Sequence, residues 1–238
     1  MRKTVLTHFF NEEYLLPWWL EHHKKHFDWG VLINYGSTDR SVEIIKDICP
    51  KWKVVDSIND WFDARMCDRE VMQYERQIPG WKITLNVTEF LVGNYSALND
   101  VPDQELKIPC SVMVDDAPDI QATYSLPLIE QKRFGIPYNE GGSALRRSRC
   151  IHNKKEVQYP LGRHYESYDS ESLQVLWYGW APYNEELKRR KLQVQTRIPE
   201  SDKAQGFGRE HIVTGEELNK QYLQLKERAV DIFASSYV

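Results

Sequence analysis

Arginines and lysines set close to glycines are the first side chains in this sequence that suggest a chemistry. Gly141-Gly142-Ser143 runs into Arg146, Arg147 and Arg149. Glycine lets a backbone approach a phosphate closely, and guanidinium groups nearby can neutralise it. Arg163 and the stretch Lys188 to Lys191 are further cations in polar surroundings. Each group also fits a solvated loop or helix face. The chain carries 8 Trp and 13 Tyr, more than a minimal core needs, so a minority of these flat rings could stack on a base or sugar while most pack the interior. Among the acids, Asp202, Glu140, Asp115 and Asp116 lie in loop-like sequence, where a carboxylate either takes a proton from a substrate or is simply hydrated.

Such groups need a scaffold, and hydrophobic periodicity predicts one. An apolar strand from Val5 to Phe10 leads through Asn11-Glu12-Glu13 into a helix carrying Leu15, Trp18, Trp19 and His22. Pro17 falls in its first turn, where a missing amide hydrogen costs least. Gly30 to Asn34 reads as a second strand and Tyr35-Gly36-Ser37-Thr38-Asp39 as a loop of turn formers and helix caps; Val42, Ile45 and Ile48 mark one face of the next helix. Trp52 to Asp56 is a third strand. Strand-helix units in this order imply parallel strands joined by right-handed crossovers, a nucleotide-binding type of half-domain with its ligand at the strand C-termini. A longer helix follows from Ala64 to Gln77, then the most apolar strand, Trp81 to Val92. The loops after Phe10 and Asn34 and the residues around Asn86 should therefore converge. Beyond Asn99 the pattern is thinner: strand-like Cys110 to Val114, a helix from Tyr183 to Val194 and a final helix from Glu216 to Phe233.

Two of these segments carry a family pattern. Phe10-Asn11-Glu12-Glu13-Tyr14-Leu15-Leu16-Pro17-Trp18 and Asn34-Tyr35-Gly36-Ser37-Thr38-Asp39-Arg40-Ser41 resemble segments of the family 2 glycosyltransferases and related families with the same GT-A type nucleotide-sugar-binding fold. In that family the second segment is a D-D-G-S-T-D loop that holds base and ribose. Its first aspartate is Asn34 here, whose amide still offers a uracil edge a donor and an acceptor. Trp81 to Leu91 resembles the family's W-x-x-x-x-D-x-D-E-F-L. Trp180 to Glu186, Arg190 to Gln193, Arg197 to Asp202 and Gly206 to His211 extend the resemblance to small bacterial and large-DNA-virus glycosyltransferases. It implies a nucleotide-sugar site built from Phe10, Asn11, Glu12, Asn34, Gly36, Ser37, Asp39, Asn86, Val87 and Thr88, to which the arginine cluster after Gly141-Gly142 adds Arg149.

Glycosyl transfer requires a neutralised diphosphate leaving group and a deprotonated acceptor hydroxyl. In the family a D-x-D pair does the first job through a divalent cation, Mn2+ or Mg2+, bridging the phosphates. Asn86 and Thr88 replace both acids, and neutral oxygens bind a hard cation far less strongly than carboxylates do. Three readings stay open: a weakened cation site of Thr88 and Glu89 completed by His164 or His211, metal-free neutralisation by basic residues, or loss of catalysis. For each of these histidines a packing role competes, and His22, His23 and His26 on the first helix read as structural or surface groups. The general base implied by inverting members of the fold is a carboxylate beyond the D-x-D strand, Asp202 first and Glu140 second, with Asp115 and Asp116 behind. Asn86-Val87-Thr88 and Asn94-Tyr95-Ser96 also spell glycosylation acceptors, which a cytosolic chain would not use.

The 238 residues suit one α/β domain. Its expected parts are a nucleotide-sugar-binding half (1–98), an acceptor-side half (99–213) and a C-terminal helix (214–238), around a mixed, mostly parallel sheet flanked by helices. A net charge of -4 gives no global positive field, which argues against nucleic acid as a partner. No run approaches a membrane span, no secretory pattern opens the chain, and the 4 cysteines form no CxxC or zinc spacing, so the expected location is cytoplasmic. A nucleotidyltransferase would carry a glycine-rich, lysine-bearing phosphate loop near the N-terminus, and none is present. Nothing in the sequence fixes an oligomeric state. The expected activity is transfer, with inversion, of a sugar from a nucleoside-diphosphate sugar, UDP-linked, to a saccharide acceptor. The alternative is a catalytically inactive nucleotide-sugar or glycan-binding module of the same fold.

Overall fold

The computed structural model describes residues 1–140, 147–205 and 212–234. Its first part repeats strand, loop and helix: β1 (Lys3–Phe9), α1 (Leu16–His23), β2 (Trp29–Asn34), α2 (Ser41–Ile48), β3 (Lys53–Asp56) and α3 (Ala64–Glu75). Next come β4 (Trp81–Thr84), β5 (Glu89–Gly93), β6 (Glu105–Val114), a short α4 (Leu128–Gln131), β7 (Phe134–Ile136) and β8 (Arg147–His152). The remainder is β9 (Leu173–Trp180), α5 (Glu185–Gln193), α6 (Glu200–Ala204), α7 (Gly215–Lys226) and β10 (Val230–Asp231).

β3, β2, β1 and β4 lie side by side and parallel, with Val5 opposite both Gly30 and Ile83. From β1 the chain steps outward to β2 and β3, then returns to place β4 on the other side of β1. Such a reversal opens a crevice beyond the strand C-termini, because the loops on its two sides leave in opposite directions. β8 joins β4 antiparallel, and β6, β7 and β10 extend the sheet further. β9 runs beside β6 and pairs antiparallel with β5. This is the mixed sheet flanked by helices that the sequence predicts.

Side-chain alternation divides the core between the two faces of the sheet. On β2, Leu32 enters the main cluster with Leu16, Trp19 and Ile45 from α1 and α2, whereas Ile33 faces the other way, with Tyr35, Cys67 and Val71 beside α3. Trp19 and Trp81 are fully buried. Large apolar side chains in such positions stabilise a fold by roughly 1.5–3 kcal/mol each. The cysteines Cys49, Cys67, Cys110 and Cys150 are buried free thiols. Among the described residues no helix is long and apolar enough to cross a membrane.

Two of the predicted elements differ from the sequence expectation, and β7, β8 and β9 are strands it does not contain. Trp81 to Val92 is not one strand but β4 and β5, separated by a turn at Asn86-Val87-Thr88. The Glu89 amide donates to the Asn86 carbonyl (2.8 Å) and the Glu89 carboxylate accepts the Asn86 amide (2.8 Å), so backbone and side chain close the turn together. The final helix stops at Lys226 rather than Phe233, because Val230 and Asp231 pair with β7 and Arg133 holds Asp231 at 3.1 Å.

Candidate functional site

Beyond the ends of β1 and β2 the two loops are stitched to each other by side chains. The Asn11 carboxamide oxygen accepts from Thr38 N–H (2.8 Å), Ser37 Oγ from Asn11 N–H (3.0 Å) and Ser41 Oγ from Glu12 N–H (2.9 Å). Asp39 accepts from the amides of Glu13 and Ser41, both at 3.0 Å. Asn34 accepts from Ser37 N–H (2.9 Å) and donates to Asp56 (3.0 Å). Gly36 turns the loop with φ 73°, a value that favours glycine.

The cavity bordered by these loops has a volume of about 1070 Å³. One part of its wall is aromatic: Phe10, Tyr35 and Phe62, with the Arg197 guanidinium 4.3 Å above the Phe10 ring and donating to the carbonyls of Tyr35 (3.1 Å) and Asp60 (2.9 Å). Another is the Asn86–Glu89 turn with Trp177 and Trp180 of β9, and α7 contributes Leu218, Gln221 and Leu225. Eight cationic side chains line it against five carboxylates. Every one of those carboxylates pairs with an arginine of the same cavity: Glu12 with Arg190, Asp68 with Arg163, Glu89 with Arg149, and both Asp63 and Asp202 with Arg65. Arg147, Lys191, Arg197 and Arg228 are the surplus, so the cavity is net positive inside a net-negative chain.

Two buried ion pairs shape the centre of the site. Arg149, 2% exposed, grips both oxygens of Glu89 (2.5–3.0 Å) and donates to the carbonyls of Gly162 (2.7 Å) and Arg163 (3.0 Å). Gly162 and Arg163 both have left-handed backbones, φ 71° and 60°. For a residue as bulky as Arg163 that conformation is strained, and it is held by Asp68, which pairs with the Arg163 guanidinium and accepts from Gly162 N–H at 2.8 Å. Three buried atoms of cavity residues, His8 Nδ1, Arg163 Nε and His164 Nδ1, have no hydrogen-bond partner among the described residues. Burial, followed by the charges of Arg149, Arg147 and Arg163, pushes the His164 imidazole down to about 2. His8 is likewise held well below its ordinary range by burial and then by Arg163 and Arg149. Both imidazoles are therefore held in the neutral form near pH 7.

The structure thus sorts the sequence-predicted residues into groups. Phe10, Glu12, Asn86, Val87, Thr88, Glu89, Arg149, His164 and Asp202 line the cavity. Asn11, Asn34, Gly36, Ser37 and Asp39 are not lining residues but build the paired loops, so the Asn34 amide is engaged by Ser37 and Asp56. Glu140 is exposed and outside the lining. Asp115 is buried against Lys132 at 2.7 Å and accepts from Tyr183 N–H, which makes it a packing hub. His22 and His23 bind backbone groups of Leu91 and Trp19 and are structural. Residues 141–146, with Gly141, Gly142 and Arg146, and His211 lie outside the described residues. Sequence reasoning missed Phe62, Trp177 and the Asp68–Arg163 pair. Trp177 and Trp180, three apart in a strand, share the wall where the β6–β9 ladder shifts register between them, which their spacing does not show; Asp68 offered no signal either.

The groups around Asn86 do not suit a divalent cation. Asn86 and Thr88 bring neutral oxygens, and both oxygens of Glu89, expected as a metal ligand, are paired with Arg149 in this structure. Arg149, expected at the nucleotide sugar, lines the cavity with its guanidinium paired to Glu89. His164 faces three arginine charges that repel a cation. Among the described residues no cluster of three or more His, Cys, Asp or Glu side chains could hold a metal ion.

No family model and no curated protein matches this sequence. Solved structures with a remote likeness include Staphylococcus aureus TarS 1–349 in complex with UDP-GlcNAc, at 16% identity and a TM-score of 0.31 over 48% of this chain and 35% of that one. This chain therefore spans about a third of the length of that relative. A second alignment, to TarS 1–349 alone, covers 93% of this chain and 78% of that one at 12% identity and a TM-score of 0.37. Glucosyl-3-phosphoglycerate synthase from Mycobacterium tuberculosis, in complex with Mn2+, UDP and glucosyl-3-phosphoglycerate, aligns at 11% identity and a TM-score of 0.36 over 64% of this chain and 56% of that one.

Proposed function

We propose that this chain is a glycosyltransferase that binds a UDP-linked sugar in the positive cavity and passes the sugar to a saccharide acceptor, with inversion and without a divalent cation. The observation that carries the reading is the cavity itself: about 1070 Å³ beside the switch between β1 and β4, aromatic on one wall and holding more cations than carboxylates. Its size is slightly above the ~300–1,000 Å³ usual for small-molecule sites, and a nucleotide sugar needs such room. The Phe10 and Phe62 rings suit the base, and the surplus cations suit the diphosphate. Asp202, in the lining and 3.3 Å from Arg65, is the carboxylate assigned to take the acceptor proton, ahead of Glu140.

A second reading, a non-catalytic nucleotide-sugar or glycan-binding module, is favoured by the loss of both acids at Asn86 and Thr88. Candidate UDP- and GDP-sugars incubated with the protein in Mn2+ or in EDTA separate the two. Nucleotide release that EDTA leaves unchanged is the expected result. Release only with Mn2+ overturns metal independence. Measurable UDP binding without release from any donor, in this chain and in Asn86→Asp plus Thr88→Asp, leaves the binding module.

A further inference from the structure

Lys191 differs from every other cation of α5. Lys188 pairs with Glu185 (2.8 Å), Arg189 with Glu186 (3.0 Å) and Arg190 with Glu12 (2.5 Å). Among the described residues no carboxylate and no hydrogen-bond acceptor meets the Lys191 ammonium. It lies instead 3.8 Å from the centre of the Trp180 ring and 5.8 Å from that of Trp177, on the cavity wall. An aromatic face attracts the charge yet leaves its three N–H donors unsatisfied.

Position adds to this. The end of α5 is clamped to the loop after β1, since Arg190 holds Glu12 and the Gln193 amide donates to the carbonyls of Phe10 (3.1 Å) and Asn11 (3.3 Å). The tryptophan floor is tied to the degenerate turn: Trp177 lies opposite Glu89 in the β5–β9 ladder, and Tyr178 N–H donates to the Thr88 carbonyl at 2.7 Å. Lys191 is thus held between the first loop and the Asn86-Val87-Thr88 turn.

We infer that Lys191, seated on Trp180 and Trp177, is the cation that binds the terminal phosphate of the nucleoside diphosphate, in the place that Asn86 and Thr88 leave without a metal. In the transfer the bond from sugar C1 to the β-phosphate oxygen breaks as the acceptor oxygen bonds C1. The acceptor proton passes to a carboxylate, and the departing diphosphate carries away the electron pair as added negative charge. An ammonium at that oxygen stabilises it as it leaves. Burial, and then the neighbouring charge of Arg190, pushes the Lys191 ammonium down to about 7, as fits a cation held without its counter-ion.

The assignment rests on the proposed nucleotide-sugar reading, and calorimetry with UDP and with uridine, both in EDTA, tests the two separately. Lys191→Met should weaken UDP binding roughly 10- to 100-fold, the range for a lost charge-assisted contact, while uridine binding stays within about 2-fold. Lys191→Arg should recover most of the UDP affinity. If the unaltered chain binds UDP but Lys191→Met binds it equally well, or loses uridine to the same degree, the role of Lys191 is overturned and the nucleotide site stands. If the unaltered chain binds UDP only when Mn2+ replaces EDTA, the lysine is not standing in for a metal. Failure of the unaltered chain to bind UDP under either condition overturns both.

Discussion

Next to Asn86 and Thr88, which stand where the sequence resemblance expects two metal-binding acids, the structure has the Glu89 carboxylate locked to the Arg149 guanidinium. Glu89 and Arg149 are each 2% exposed, so removing one partner strands a buried charge. Glu89→Gln is expected to destabilise the fold by about 3–5 kcal/mol in urea unfolding, whereas Glu89→Leu with Arg149→Met should cost much less. The proposed function places Asp202 nearer the reacting atoms. With its carboxylate assigned to the acceptor proton, Asp202→Asn should lower kcat ~100-fold or more in steady-state assays while UDP affinity measured by calorimetry changes little. Of these residues, Asn86, Thr88, Glu89 and Asp202 were legible as candidates from residue type and order. Their state was not, because a carboxylate's availability depends on what stands opposite it.

Elements decide how the cavity is walled. α5 carries Arg190, Lys191 and Gln193 to the loop after β1, and β9 supplies the tryptophans beneath Lys191. α7 is positioned by a capping box, in which Thr214 Oγ1 accepts from Glu217 N–H (3.2 Å) and the Glu217 carboxylate accepts from Thr214 N–H (2.7 Å). Thr214→Ala should loosen this helix by about 1 kcal/mol, seen as faster amide hydrogen exchange across Gly215–Lys226 with α1 unaffected. The repeated strand-helix units were readable because their periodicity is local. The β4–β5 break was hidden by its apolar flanks, although an Asn three residues before a Glu is itself a turn signal. The early end of the last helix was hidden for another reason: Val230 and Asp231 pair with β7, roughly a hundred residues earlier in the chain.

Across the whole molecule, buried and half-buried neutral histidines couple stability to pH. His22 is pushed down to about 4 and His164 to about 2, both chiefly by burial, and His8 and His23 are lowered in the same direction. The unfolded chain takes up protons near the ordinary histidine value of about 6.5 while the folded chain does not, so stability is fully present above that value and falls as pH drops below it. His22, lowered to about 4, should cost roughly 1.5 kcal/mol between pH 6.5 and 5. The urea midpoint should fall over this range, and less steeply in His22→Gln. The sequence by itself determined the strand-helix order of the first part, β1 to α3, the turn chemistry of the paired loops and hence their convergence at the end of a parallel sheet. Tertiary structure decided which charge met which: Glu89 finds Arg149 across 60 residues, Asp68 finds Arg163 across 95, and Lys191 finds tryptophan rings instead of an acid. Turn and strand preferences act between near neighbours in the chain, whereas ion pairing acts through space, and only the folded sheet sets those distances.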